Sequence, residues 1–145
     1  MRISECMTRD VRLAEPRMTL REAAQLMAAC DAGALPVGDN DRLVGMLTDR
    51  DITVRAVAEG KGPDTTVGEA MTRDVCWCYE DERPEDVLQR MGEQQIRRMP
   101  VLNRSKRLVG IIAMADLTES ADPERTGDAL CAISREGGAH SQSVH

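Results

Sequence analysis

Aromatic residues are nearly absent from this chain of 145 residues, which has one Trp, one Tyr and no Phe. Any core must therefore be assembled from Leu, Val, Ile, Met and Ala. The shortage also argues against single-stranded nucleic-acid binding, which lays successive bases on aromatic platforms. A surplus of positive charge is missing too: the formal net charge of −6 has the wrong sign for a footprint on a phosphate backbone. Half of that deficit sits in residues 119–145, where Arg125 and Arg135 face five acids. No run approaches the ~20 apolar residues of a membrane span. The opening Met1-Arg2-Ile3-Ser4-Glu5 lacks the apolar region of a signal peptide. The expectation is a cytoplasmic protein with neither nucleic acid nor membrane as partner. Histidine occurs only at His140 and His145, so no Ser-His-Asp or Cys-His arrangement is credible and no enzyme activity is expected. In a reducing compartment the five cysteines are expected to be free thiols.

What the chain does contain is a repetition. Met7-Thr8-Arg9-Asp10-Val11 recurs letter for letter as Met71-Thr72-Arg73-Asp74-Val75, an offset of 64. The offset carries Met27 onto Met91 and Ala34-Leu35-Pro36-Val37 onto Arg98-Met99-Pro100-Val101. After one inserted residue, Arg42-Leu43-Val44-Gly45 matches Arg107-Leu108-Val109-Gly110. Two copies of this length mean a duplicated small domain rather than a solenoid. Each copy alone would bury only about 60% of its unfolded surface, so the pair is expected to form one pseudo-symmetric module.

Within the first copy, Val11-Arg12-Leu13 reads as a short extended piece. Thr19-Leu20-Arg21-Glu22 has the form of a capping box, and Leu20, Ala23, Ala24 and Met27 follow at helical spacing. Cys30 reads as a small core or boundary residue of that helix, and Gly33 as its stop. Ala34 to Val37 and Leu43 to Leu47 predict a hairpin around Asp39-Asn40-Asp41, with Pro36 favouring an edge or strand-end position. A second helix is predicted from Thr48 to about Glu59, ended by Gly60-Lys61-Gly62-Pro63. The second copy repeats this order. Its first helix enters through Pro84 and buries Val87, Leu88 and Met91. Glu80 to Glu82 reads as a solvated approach to that helix. Ala129 to Ile133 predicts a helical turn or two, and Gly137 to Ser143 a frayed end.

The tandem β-α-β-β-α order, the repeated Met-Thr-x-x-Val, the apolar-Pro-Val strand and Leu-Val-Gly leading to a helix with Asp51 or Asp116 resemble a CBS domain pair, or Bateman module. The likeness covers residues 1 to about 120 and is closest to stand-alone bacterial CBS-pair proteins. It implies an α+β fold class with two pseudo-symmetric β-α-β-β-α folds packed through their sheets. The expected layout is residues 1–64 and 65–120 as the two domains and 121–145 as a partly disordered tail. It further implies clefts between the copies that take an adenosine-containing ligand: AMP, ATP, S-adenosylmethionine or a dinucleotide such as NAD(P)(H). No cofactor is required on this reading. A homodimer and a regulated protein partner are the expected associations.

Thr48 and Asp51 carry the clearest chemistry. Where a strand passes into a helix, unpaired N–H groups and a positive dipole end favour an anion. A Thr hydroxyl there donates to a phosphate oxygen, and the Asp51 carboxylate accepts the vicinal hydroxyls of a ribose; the resemblance assigns the same roles. The same spacing is also that of a capping box, in which both residues serve the helix alone. In the second copy Ala113 stands where Thr48 was, while Asp116 persists, which leans toward ligand work at Asp116. Arg97 and Arg98 precede Met99-Pro100 where the first copy has Gly33-Ala34. They suit bidentate phosphate binding, or alternatively satisfy the end of the preceding helix. By resemblance alone, Thr8, Asp10 and Val11, with Thr72, Asp74 and Val75, are the adenine-contacting candidates, whereas Val37 and Val101 read as plain core. The two sites are not expected to be alike.

Two other classes stand beside this one. A ligand-free dimerising or docking module with vestigial clefts fits the incomplete motif at Ala113. A thiol or zinc sensor would use Cys76 and Cys78, placed on one face of a strand by alternation, although the usual Cys-x₂-Cys spacing is missing.

Overall fold

The computed structural model describes residues 1–118 and 123–134 and separates into two compact units. The unit containing Asp51 comprises Asp10–Val75 with Lys106–Leu108, and the unit containing Asp116 comprises Met1–Arg9, Cys76–Ser105 and the chain from Val109. Repeat and unit therefore do not coincide. The opening residues of the first copy pack with the body of the second, and Met71-Thr72 pack with the body of the first.

In the Asp51 unit, helix α1 (Leu20–Cys30) begins as its sequence predicts: Thr19 Oγ1 accepts the Glu22 N–H at 3.1 Å and Glu22 reaches back to the Thr19 N–H. Leu20, Ala23 and Met27 are buried. Ala24 and Cys30 are instead exposed, which corrects the expected burial of both. The helix does not stop at Gly33. Asp31 adopts the left-handed conformation at φ 52°, and its N–H closes on the carbonyls of Ala28 and Met27. Strands β1 (Ala34–Asp39) and β2 (Arg42–Thr48) form an antiparallel pair, with a register shift between Val37 and Gly38. Val11-Arg12-Leu13 is not a strand. Only Ala14 makes a bridge, parallel to Val37, donating to the Pro36 carbonyl at 3.0 Å. Pro36 has no N–H to offer, so this edge works through its carbonyl. Helix α2 (Asp49–Arg55) is shorter than predicted and gives way to a 3₁₀ turn at Val57–Glu59, closed by left-handed Gly60. A one-turn helix α3 (Val67–Ala70) leads to Met71.

In the Asp116 unit, β3 (Cys78–Tyr79) lies parallel to β4 (Arg98–Leu102), and β5 (Leu108–Ala113) completes the sheet in the order β3-β4-β5. Helix α4 (Pro84–Gln94) starts on proline and buries Val87, Leu88 and Met91 as expected. Glu82 is not simply solvated: it pairs with Arg90 and accepts the Tyr79 N–H at 2.7 Å. After α5 (Met114–Thr118), the expected turn near Ala129 proves to be an 11-residue helix, α6 (Pro123–Ile133), laid on α4. The predicted frayed end at Gly137 to Ser143 lies outside the described residues. Each unit holds its own aliphatic core, with Val37 in one and Val101 in the other, both fully buried. Among the described residues no helix is long and apolar enough to cross a membrane.

One close approach recurs in both units. A Cβ on Gly45 would stand 2.6 Å from the Thr72 carbonyl oxygen and 2.9 Å from the Met71 sulfur. A Cβ on Gly110 would stand 2.6 Å from the Thr8 carbonyl and 2.9 Å from the Met7 sulfur. Both contacts accompany paired backbone hydrogen bonds, Met46 with Thr72 and Ile111 with Thr8. The two repeated motifs, Met-Thr and Leu-Val-Gly, are thus the two halves of one junction. Gly45→Ala and Gly110→Ala should each lower stability by about 1–3 kcal/mol, the usual cost of overpacking, as measured by urea denaturation; a change near zero at either position would contradict the junction.

Candidate functional site

The junctions determine which predicted residues meet. Thr72 pairs with Met46 on β2, the strand that delivers Thr48 and Asp51, so these three belong together in one unit with Asp10, Val11, Asp74 and Val75. Thr8 pairs with Ile111 on β5, the strand that delivers Asp116, and Arg97 and Arg98 lie in that same unit. Each candidate site therefore draws its Met-Thr segment from the other copy of the repeat. Asp10, Asp74, Arg97 and Arg98 are exposed, whereas Val11, Thr72 and Val75 are half-buried.

Thr48 and Asp51 form the full capping box. Thr48 Oγ1 accepts the Asp51 N–H at 3.1 Å, and Asp51 Oδ2 accepts the Thr48 N–H at 2.9 Å. The side chain of Asp51 is only 14% exposed, and its other oxygen lies 3.9 Å from Arg55 Nε. Arg55 was not singled out from the sequence. It donates to the Met71 carbonyl at 3.0 Å, tying α2 to the junction strand. An arginine one turn after an acid on a helix is too common a pattern to signal such a contact.

At Asp116 half of the box survives. Oδ2 accepts the Ala113 N–H at 3.0 Å, although Ala113 offers no hydroxyl in return. The persistence of Asp116 thus has a structural account, and the carboxylate is held with Oδ1 left over. Arg97 is placed by its backbone: its carbonyl accepts the Met114 N–H at 2.8 Å, which sets it beside the first residue of α5. Neither Arg97 nor Arg98 caps α4, whose last carbonyls are closed by the N–H groups of Gln95 and Ile96. Among the described residues neither guanidinium has a hydrogen-bond or ion-pair partner.

The matching place in the Asp51 unit is occupied differently. There Gly33 accepts the Asp49 N–H at 2.9 Å, and a Cβ on Gly33 would stand 3.0 Å from Asp49 Oδ2. An arginine-methionine couple in one unit is replaced by a glycine-aspartate couple in the other. Arg50 is exposed on the first turn of α2, and its N–H donates to Asp49 Oδ1 at 2.8 Å. The two strand entries are thus built differently.

Cys76 and Cys78 both turn to the core of the Asp116 unit, Cys76 partly buried and Cys78 fully so. Loss of solvent pushes the Cys78 thiol up to about 12, with nearby Glu82 adding to the shift against the pull of Arg90. Burial raises Cys76 as well. A thiol kept as S–H is a poor nucleophile. Among the described residues no group of three or more His, Cys, Asp and Glu is gathered to hold an ion; His140 and His145 lie outside them.

The sequence model of the CBS domain matches this chain twice, over residues 3–57 and 67–122. The CBS domain-containing protein YhcV of Bacillus subtilis is 38% identical over 135 residues, covering 92% of this chain and 96% of that protein. Hypoxic response protein 1 of Mycobacterium tuberculosis is 46% identical over 102 residues, covering 68% of this chain and 70% of that protein. A crystal structure of Hypoxic Response Protein I with two coordinated zinc ions superposes with a TM-score of 0.76 at 39% identity, covering 84% of this chain and all of that one. The CBS domain pair of MJ0100, solved with 5′-methylthioadenosine and S-adenosyl-L-methionine, superposes with a TM-score of 0.73 at 29% identity, covering 82% of this chain and 98% of that one.

In the folded protein Cys78 keeps its proton to about pH 12, whereas an unfolded thiol releases it near 9.0. The stability this neutral thiol contributes is therefore intact below about pH 9 and is lost as pH climbs toward about 12. Urea denaturation between those limits should show stability falling with pH, and Cys78→Val should flatten the fall; an unchanged slope in the variant would count against the burial of this thiol.

Proposed function

Because the chain belongs to the CBS-domain family, with two copies of the domain in tandem, we propose that it is a regulatory module that senses an adenosine-containing ligand and is not itself a catalyst. The MJ0100 pair, similar over most of its length, was solved with two adenosyl compounds, and this supports the same ligand class here. The observation that carries the reading is Asp116: a carboxylate held by one backbone N–H, with its second oxygen available for a ribose hydroxyl, in the unit that presents Arg97 and Arg98, which have no partner among the described residues. Arg97 and Arg98 suit the phosphates of AMP, ATP or NAD(P)(H) through charge-assisted bidentate bonds. In the other unit Thr48 and Asp51 would take the ribose, with Thr72 and the Asp10–Val11 and Asp74–Val75 segments nearby for the base. A reducing cytoplasm is the compartment proposed, where cysteines such as these five stay as thiols.

Regulation follows if the ligand binds two conformations of the module unequally; equal affinity would shift nothing. A protein partner would then read the favoured state. A second reading, a docking module without ligand, is favoured by the completeness of the cap at Thr48–Asp51, which is satisfied within the chain. A zinc reading through Cys76 and Cys78 is the weaker one, since the Cys78 thiol is fully buried in the core of the Asp116 unit.

Calorimetric titration with AMP, ATP, S-adenosylmethionine and 5′-methylthioadenosine tests the reading. At least one should bind, and silence from all four at about 1 mM would favour the docking module. Asp51→Asn and Asp116→Asn keep an oxygen for the cap, so each should weaken a different site by roughly 10- to 100-fold without unfolding the protein. Arg97→Ala should reduce phosphate-bearing ligands and leave 5′-methylthioadenosine unaffected.

A further inference from the structure

The two units build the same corner with opposite charge. In the Asp51 unit the Gly33 carbonyl accepts the Asp49 N–H at 2.9 Å, and in the Asp116 unit the Arg97 carbonyl accepts the Met114 N–H at 2.8 Å. This shared bond makes Gly33 the counterpart of Arg97, and Asp49 that of Met114, in space as well as in the repeat. Gly33 leaves the Asp49 carboxylate room beside the strand entry, since a Cβ there would stand 3.0 Å from Oδ2. One corner thus carries a carboxylate and no strand-entry cation. The other carries a guanidinium and no carboxylate.

The start of α2 also keeps no backbone N–H for a phosphate between Thr48 and Asp51. The Thr48 N–H goes to Asp51 Oδ2 at 2.9 Å and the Asp49 N–H to the Gly33 carbonyl. The Arg50 N–H goes to Asp49 Oδ1 at 2.8 Å, and the Asp51 N–H to Thr48 Oγ1 at 3.1 Å. The donors that make a helix start attractive to an anion are therefore taken within the chain, two of them by carboxylates. The nearby cations do not offset this. Arg55 is turned to the Met71 carbonyl and to Asp51, and exposed Arg50 makes no ion pair with either aspartate among the described residues. A phosphate placed here would face Asp49 and Asp51 together, and like charges at such range repel. Thr48 retains a hydroxyl proton, which suffices for a ribose oxygen.

We propose that the two sites sort adenosine-containing ligands by charge. The Asp51 site takes one whose 5′ substituent is cationic, as in an adenosyl sulfonium, with Thr48 and Asp51 on the ribose and Asp49 facing the cation. It excludes 5′ phosphates, which go to Arg97 and Arg98 at the Asp116 site. The sorting rests on the reading of the module as a sensor of adenosine-containing ligands, yet it can fail while that reading stands.

Calorimetric titration of the full chain carrying Asp116→Asn, which leaves the Asp51 site intact, tests this with S-adenosylmethionine, 5′-methylthioadenosine and AMP. S-adenosylmethionine should bind at least about tenfold tighter than AMP, and the preference should shrink as salt is raised. Asp49→Asn, added to that variant, keeps an oxygen for the Arg50 N–H. It should weaken S-adenosylmethionine by about three- to fivefold, the scale of an exposed charge pair, strengthen AMP, and leave uncharged 5′-methylthioadenosine unchanged. Asp49→Glu should preserve the preference for the cation. In the chain carrying Asp51→Asn instead, AMP should bind the tighter of the two. AMP binding to the Asp116→Asn protein as tightly as S-adenosylmethionine overturns the sorting and leaves the sensor reading standing. A preference that Asp49→Asn does not move has the same consequence. Silence of the wild-type chain toward all three ligands at about 1 mM overturns both.

Discussion

The rest of the structure depends on a backbone approaching a glycine. At Gly45 and at Gly110 a Met-Thr segment lies so near that a methyl group would meet its carbonyl oxygen at 2.6 Å. The approach allows paired hydrogen bonds to the neighbouring strand residue, Met46 in one unit and Ile111 in the other. It also seats a methionine sulfur against the glycine, in a chain with almost no aromatic rings to fill space. Methionine suits this task because its unbranched side chain adapts to an irregular gap. Both junctions join parts of the chain more than 25 residues apart, so neither unit is complete until they form.

The junctions also organise the candidate chemistry. Each binds a Met-Thr segment to the strand that ends in a capping aspartate, so Thr72 is brought to Thr48 and Asp51, and Thr8 to Asp116. Around this shared frame the copies have diverged at the strand entry and in the cap. Gly33 leaves room for the Asp49 carboxylate, whereas Arg97 stands opposite Met114. Thr48 completes its box; Ala113 cannot, yet Asp116 still takes the backbone N–H. A single carboxylate can therefore serve the helix with one oxygen and retain the other. That dual use explains why spacing alone could not separate a cap from a ligand site.

Much of this was legible in the residues. The capping box at Thr19–Glu22, the proline entry at Pro84, the hairpins and the burial of Val87, Leu88 and Met91 all rest on neighbours within a few positions, where local physics decides. The failures share a cause. Ala24 has the spacing of a buried residue, and its counterpart Leu88 is buried, but the difference lies in whether α6 is overhead. Glu82 looked solvated until Arg90, eight residues on, came to meet it. Gly33 looked like a helix stop because glycine favours the left-handed conformation, but Asp31 adopts it first and Gly33 is small for the sake of Asp49.

By itself the sequence determined the duplication, the tandem family fold, the positions of most helices and strands, and the residue differences between the copies, since each is written in adjacent residues or in a comparison of copies. Only the tertiary structure decided which Met-Thr segment serves which aspartate, that Asp116 is held by the Ala113 N–H, that Arg97 and Arg98 stand without partners among the described residues, and that α1 keeps an open face. These are contacts between segments distant in the chain. Periodicity and capping rules act over a few residues, and hold no record of what lands on them from elsewhere.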